Sequence, residues 1–216
     1  MPIFTGRGKL RARVSTSGSP GIPTVLNLPN ILTLSRIFVI PVVILLFYLD
    51  TNWARWINGG LFVAAAITDF FDGWLARRYN LVSPLGRFLD PIADKLLVAA
   101  VLMMLVAFNH IGAWVWPAAI VILMREILVS GLREFLAEIQ VRMPVTKLAK
   151  WKTTVQLAAL SVLIIGPIPF LPFLPVKGIG EILLWIAAIM TMITGWDYMK
   201  TGLAHMLPNP DGEPKS

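Results

Sequence analysis

The sequence predicts an all-α integral membrane protein with six transmembrane helices, and three observations carry that prediction. Of 216 residues, 56 % are hydrophobic and 14 % charged, with a mean hydropathy of +0.73, far from a soluble average. Six apolar stretches, at 31–49, 57–78, 86–108, 113–135, 153–173 and 179–202, each come near the ~20 residues that cross a ~30 Å hydrocarbon core. Basic residues crowd alternate connections, which gives the spans a direction.

With six spans both termini share one side. That side carries Arg7, Lys9, Arg11 and Arg13 before the first span, Arg77, Arg78 and Arg87 around the second connection, Arg142, Lys147, Lys150 and Lys152 before the fifth span, and Lys200 and Lys215 at the end. The opposite side has Arg55 and Lys177. Positive charge is retained on the cytoplasmic face, so the termini are expected there. Arg36, Lys95, Arg125 and Arg133 fall inside spans.

Residues 1–28 read as a basic flexible tail, in which 25–31 has the pattern of an interfacial segment. The first apolar run is too long, and lacks the small-residue cleavage site, for a removable signal peptide. Residues 29–203 form the six-helix domain and 204–216 a C-terminal tail. A net charge of +7 could serve nucleic acid, but the basic residues follow the membrane boundary without the interleaved aromatics of a stacking groove. Anionic lipid heads and phosphate substrates suit them better. The chain has no cysteine and two histidines, His110 and His205, so thiolate chemistry is excluded and a histidine metal site disfavoured.

The chemistry concentrates in 69–94, where Asp69, Asp72, Asp90 and Asp94 lie among apolar residues with Gly73, Ala76, Arg77 and Gly86. An intramembrane carboxylate is costly and normally has a partner or a function. At about 100° per residue, Asp72, Gly73 and Ala76 fall within about 60° of Asp69, and Asp90 and Asp94 within about 80° of Gly86. Two acidic faces thus arise on consecutive helices joined by a turn over 79–84, and an antiparallel pair can turn them together. Four carboxylates would be neutralised by two Mg²⁺ or Mn²⁺ ions, which prefer oxygen ligands, in a polar cavity near the cytoplasmic face. Each piece has a plainer explanation, Asp90-Pro91 as a helix start, for example. Caps and packing do not account for four acids with Arg77 and Lys95 at one depth.

These eight positions match, without gap or substitution, the signature of the CDP-alcohol phosphotransferases, which the chain therefore resembles. The resemblance implies a membrane enzyme that moves a phosphatidyl or similar group from a CDP-activated donor to an alcohol and releases CMP. It implies Asp69, Asp72 and Asp90 as ligands of two divalent ions bridging the diphosphate, with Asp94 completing that site or acting as general base. Asp69, Gly73, Ala76, Arg77 and Gly86 fall on the positions that bind CDP. A homodimer is implied by the family alone.

A second constellation follows in Arg125-Glu126, Ser130 and Arg133-Glu134, then Lys147, Lys150, Lys152, Thr153 and Gln156. Arg125 and Arg133 are about 80° apart on a helix and can face one cleft. Such cations suit a dianionic phosphomonoester, although an interhelical ion-pair lattice would look similar. These segments, with Asn30, Thr33 and Arg36 in the first span, resemble the bacterial phosphatidylglycerophosphate synthases within that family. This branch implies CDP-diacylglycerol as donor, sn-glycerol 3-phosphate as acceptor, and Arg125, Arg133, Lys150 and Lys152 at the acceptor's phosphate, with Asn30, Thr33, Arg36 and Ser130 as supporting candidates. The branch's glycine before Lys150 is Ala149 here. A cardiolipin synthase that uses phosphatidylglycerol, another acceptor such as inositol phosphate, and a cation transporter are the alternative readings.

Overall fold

In hydrocarbon every backbone N–H and C=O must be satisfied within the chain, so apolar stretches rich in Ile and Val, poor helix formers in water, become helices. The computed structural model describes residues 28–79, 84–141, 146–169 and 171–206, the side chains of 28–30, 69–79, 84–85, 87 and 204–206 excepted. It contains six long helices: α1 (Leu28–Leu49), α2 (Asn52–Tyr79), α3 (Pro84–Ala107), α4 (Trp116–Glu138), α5 (Lys147–Ile165) and α6 (Val176–Met206), with a short 3₁₀ turn at Ala113–Val115. No strand occurs among the described residues. Four stretches of these are long and apolar enough to cross a membrane, Ile31–Leu49, Ala113–Glu138, Lys147–Ile165 and Val176–Leu203. The acidic motif occupies the other two helices, α2 and α3.

Local chemistry explains the boundaries. Thr146 caps α5, its hydroxyl accepting the Ala149 N–H at 3.2 Å, so Lys147, Lys150 and Lys152 lie inside a helix and not in a connection. Gly166, at φ +66°, ends α5 with its N–H on the Val162 carbonyl at 3.0 Å; prolines 167, 169, 172 and 175 prevent its resumption before α6. The fifth helix is therefore 147–165 where the sequence pattern gives 153–173. α3 starts at Pro84 and runs through Pro91, which removes the reading of Asp90-Pro91 as a helix start. The tail of 1–27, the connection 80–83 and residues 207–216 lie outside the described residues, and α6 extends to Met206, past the expected limit at 203.

The helices pack around Val43, Phe47, Phe62, Leu97, Val101, Leu105, Ile122, Leu160, Leu163 and Leu184, all buried. The α5–α6 contact is the most extensive, and α6 also packs on α4 while α1 packs on α2 and α3. Close approach depends on glycine: a Cβ on Gly180 of α6 would stand 2.6 Å from Leu163 Cδ2, and one on Gly59 of α2 would stand 2.6 Å from Ile165 Cγ1. Phe38, Leu45, Met103, Met124, Ile127, Ile182 and Trp196 point outwards and are exposed, a surface suited to lipid and not to water.

The bundle end opposite the acidic motif is closed by polar side chains. Asp50 accepts Arg55 at 2.7 Å and lies 3.3 Å from His110 Nε2, while the Gly112 N–H donates to the buried Glu181 at 2.7 Å. Lys177 donates to the Asn109 carbonyl at 3.1 Å. Burial raises the Asp50 pKa, but Arg55 and His110 outweigh it and hold the carboxyl below its ordinary value. Burial lowers the His110 pKa, the Arg55 charge lowers it further, and Asp50 offsets part of this. Folded His110 thus favours the neutral form, and below the ordinary value of 6.5 the unfolded chain binds the proton more readily. Stability in detergent should fall as pH drops through that region. His110→Gln should flatten this part of the Tm against pH curve; an unchanged slope would remove His110 as its source.

Candidate active site

α1 and α3 together fix the described part of the acidic cluster. Asp90 and Asp94, one turn apart on α3, share a face. Thr33 and Arg36 of α1 meet them one to one: the Thr33 hydroxyl donates to Asp90 Oδ1, and Arg36 Nη1 stands 3.4 Å from Asp94 Oδ1. Thr33 and Arg36 are 1 % and 2 % exposed, whereas the Asp94 side chain is 50 % exposed and borders a cavity. The acidic pair is thus held from behind and open in front. Lys95 donates to the Pro91 carbonyl of its own helix at 2.8 Å.

α2 is continuously helical through 69–79, so the spacing of Asp69, Asp72, Gly73, Ala76 and Arg77 applies to its backbone. Their side chains, and that of Asn30, lie outside the described residues. Gly86 is buried near the start of α3. Among the described residues no three carboxylates or histidines converge; Asp90 and Asp94 are the described donors. An all-carboxylate donor set is what a hard divalent cation requires, and His110 sits at the opposite end of the bundle.

The cavity beside Asp94 encloses about 540 Å³ between α2, α3, α4, α5 and α6. Arg125, Ser130 and Arg133 reach it from α4, and Lys152 from α5, so these four candidate residues share one space with Asp94. Lys150 is exposed on α5 and does not border it. Lys152 is 3 % exposed and donates to Glu126 of α4, which also stands 3.7 Å from Arg125 Nη1. Ser130 donates to Glu134 at 3.3 Å. Glu126 therefore balances two cations at once, while Arg133 is exposed to the cavity. The Ala149 N–H is committed to Thr146, so it donates to the helix cap and not to a ligand.

Sequence reasoning missed the contribution of α6. Arg125 Nη2 donates to Thr194 at 3.1 Å, and the guanidinium lies over the Tyr198 ring at 5.7 Å from its centroid. The available signal was Thr194, buried in the apolar middle of α6, since a polar side chain at membrane depth normally has a partner. A second, mostly apolar groove of about 470 Å³ lies between α2 and α5, lined by Val63, Ile67, Ala158 and Ser161. It shares Ala66 and Leu157 with the polar cavity. The arrangement offers Asp94 and Lys95 of α3 on one wall, Arg125, Arg133 and Lys152 with Glu126 and Glu134 on the other, and an apolar groove to the side. It suits a reaction between a lipid with a diphosphate head and a small anionic partner.

Comparison with known proteins agrees with this geometry. Residues 26–193 match the family model described as CDP-alcohol phosphatidyltransferase. The chain is 53 % identical over 178 residues, 81 % of its length and 96 % of the relative's, to a Rickettsia typhi protein named CDP-diacylglycerol–glycerol-3-phosphate 3-phosphatidyltransferase. Proteins of the same name from Shigella flexneri and Cereibacter sphaeroides are 39 % and 37 % identical, over 84 % and 83 % of this chain and 97 % of each relative.

Proposed function

The chain belongs to the CDP-alcohol phosphatidyltransferase family, and we propose that it transfers the phosphatidyl group of CDP-diacylglycerol to sn-glycerol 3-phosphate, giving phosphatidylglycerophosphate and CMP. The observation that supports this reading is the shared cavity, which Asp94 lines together with Arg125, Arg133 and Lys152. The donor's diphosphate belongs on the acidic side, the acceptor's phosphomonoester on the basic side. An acceptor without that phosphate, such as glycerol, would bring no anion to Arg133 in the cavity.

Asp69, Asp72, Asp90 and Asp94 are the residues that would hold two Mg²⁺ or Mn²⁺ ions, whose chemistry is to neutralise charge on the diphosphate and the departing CMP. Gly73, Ala76 and Gly86 leave room for the nucleotide, and Arg77 is assigned to its phosphate. The acyl chains would leave sideways through the apolar groove between α2 and α5. Asp94 accepts the proton of the acceptor's 1-hydroxyl as that oxygen bonds to the β-phosphorus; the bond from this phosphorus to the bridging oxygen breaks, and CMP departs with the electron pair. Arg36, 3.4 Å behind Asp94, keeps the carboxylate turned towards the cavity. The six helices cross the membrane as six spans, with the site and both termini cytoplasmic, where CDP-lipid and glycerol phosphate meet.

Four experiments test these assignments. Purified protein given CDP-diacylglycerol and separate acceptors should release CMP and form a lipid of phosphatidylglycerophosphate mass with glycerol 3-phosphate, but not with glycerol or inositol phosphate; efficient conversion of phosphatidylglycerol to cardiolipin would assign the other acceptor. In the same assay Arg133→Ala should raise the KM for glycerol 3-phosphate by one to two orders of magnitude, since a lost charged hydrogen bond costs roughly 1.5–3 kcal/mol, with the KM for CDP-diacylglycerol little changed.

Asp94→Asn should bind CDP-lipid yet turn over at least ~10²-fold more slowly, the scale of general base catalysis; parental turnover would end its assignment as base. For orientation, the absence of native cysteine allows background-free labelling of intact cells by an impermeant thiol reagent. Cys at 52 or 112 should label and Cys at 83 should not, and the reverse pattern would invert the topology.

A further inference from the structure

Arg125 reaches the cavity from a helix that does not by itself fix where the guanidinium sits. Its side chain is 11 % exposed, and three consecutive contacts with α6 define its place. Thr194 is 1 % exposed, and its hydroxyl donates to the Met190 carbonyl at 2.9 Å. The proton so committed, an oxygen lone pair is left to accept Arg125 Nη2 at 3.1 Å. Gly195, next in sequence, is the surface on which the arginine stem lies, because a Cβ there would stand 3.1 Å from Arg125 Cγ and 3.5 Å from Nε. Tyr198, one turn after Thr194 and 7 % exposed, presents its ring beneath the guanidinium carbon at 5.7 Å. Positions 194, 195 and 198 occupy one helical face. An acceptor oxygen, a bare backbone and an aromatic face are three complementary surfaces for one guanidinium, and all three come from a helix with no residue in the family signature or the acceptor-side motifs.

We infer that Thr194, Gly195 and Tyr198 of α6 are positioning residues that set how Arg125 meets the acceptor's phosphate, and so help determine specificity for a phosphomonoester. This rests on the reading of the cavity's basic wall as the acceptor site. Glu126 pulls on the same guanidinium from the side, 3.7 Å from Nη1. With one nitrogen held by Thr194 and the plane held by Tyr198, the guanidinium keeps an edge for a phosphate instead of collapsing onto that carboxylate.

The test is steady-state kinetics of the full-length protein in mixed micelles, with inorganic phosphate as a competing probe of the basic wall. Thr194→Val keeps shape and removes the acceptor oxygen; it should raise the KM for glycerol 3-phosphate and the inhibition constant of phosphate together, about tenfold, with kcat and the KM for CDP-diacylglycerol within about twofold. Thr194→Ser should restore both constants. Tyr198→Phe, which keeps the ring face, should stay near parental values, and Tyr198→Leu should behave like Thr194→Val. Equal KM and phosphate inhibition in Thr194→Val and Tyr198→Leu, with the parent active on glycerol 3-phosphate, would overturn the inference alone. A parent inactive on glycerol 3-phosphate would overturn the acceptor assignment beneath it. Parallel loss of kcat and of affinity for both substrates, unrescued by Thr194→Ser, would show a structural role and also overturn it.

Discussion

A charge among apolar helices needs a counter-charge from another helix, and the Lys152–Glu126 pair is where that constraint joins this fold to its site. α4 and α5 make little direct contact; both pack on α6. Lys152 from α5 and Glu126 from α4 close the gap between them, at a position where the lysine is 3 % exposed. Burying two ions is unfavourable unless each is matched, and removal of one partner leaves the other uncompensated. The pair therefore ties together the two helices that carry Arg125, Arg133 and Lys152. The sequence offered an ion-pair lattice and a phosphate site as alternatives for this segment. The structure shows the ion pairs, with Glu126 between Lys152 and Arg125, and leaves Arg133 facing the cavity.

The two ends of the bundle solve the polar problem differently. Away from the motif, Asp50, Arg55, His110 and Glu181 pair directly with side chains or backbone of neighbouring segments. At the motif end, comparable numbers of ionisable groups surround an open volume of about 540 Å³. Away from the motif, glycines 59 and 180 hold two helix pairs at contact distance.

Much of this was legible in the sequence because membrane helices are written in a coarse code of length and apolarity. All six helices were recognised within a few residues except α5, whose first turns carry Lys147, Lys150 and Lys152 and so look like a connection. The Thr146 cap makes that charged segment helical, and helicity then sorts its cations. Ala149, Lys152, Thr153 and Gln156, spaced i, i+3, i+4 and i+7, border the cavity, while Lys150 lies about 160° from Lys152 and faces away. The periodicity was present in the sequence; the boundary that licenses its use was not. The contribution of α6 was hidden for another reason. Thr194, Gly195 and Tyr198 act on Arg125, so no spacing among ionisable residues announces them.

The same distinction separates the two halves of the acidic cluster. Thr33 and Arg36 are three residues apart on α1, Asp90 and Asp94 four apart on α3, and each pair spans about one turn, so two roughly aligned helices can join hydroxyl to carboxylate and guanidinium to carboxylate at successive levels. Such a ladder does more than neutralise charge. It takes up one oxygen of each carboxylate on the side of α1. Carboxylates crowded at one depth repel one another, and a fixed guanidinium behind one of them lowers that repulsion before any cation is present. The α1 ladder thus offsets part of the repulsion between Asp90 and Asp94.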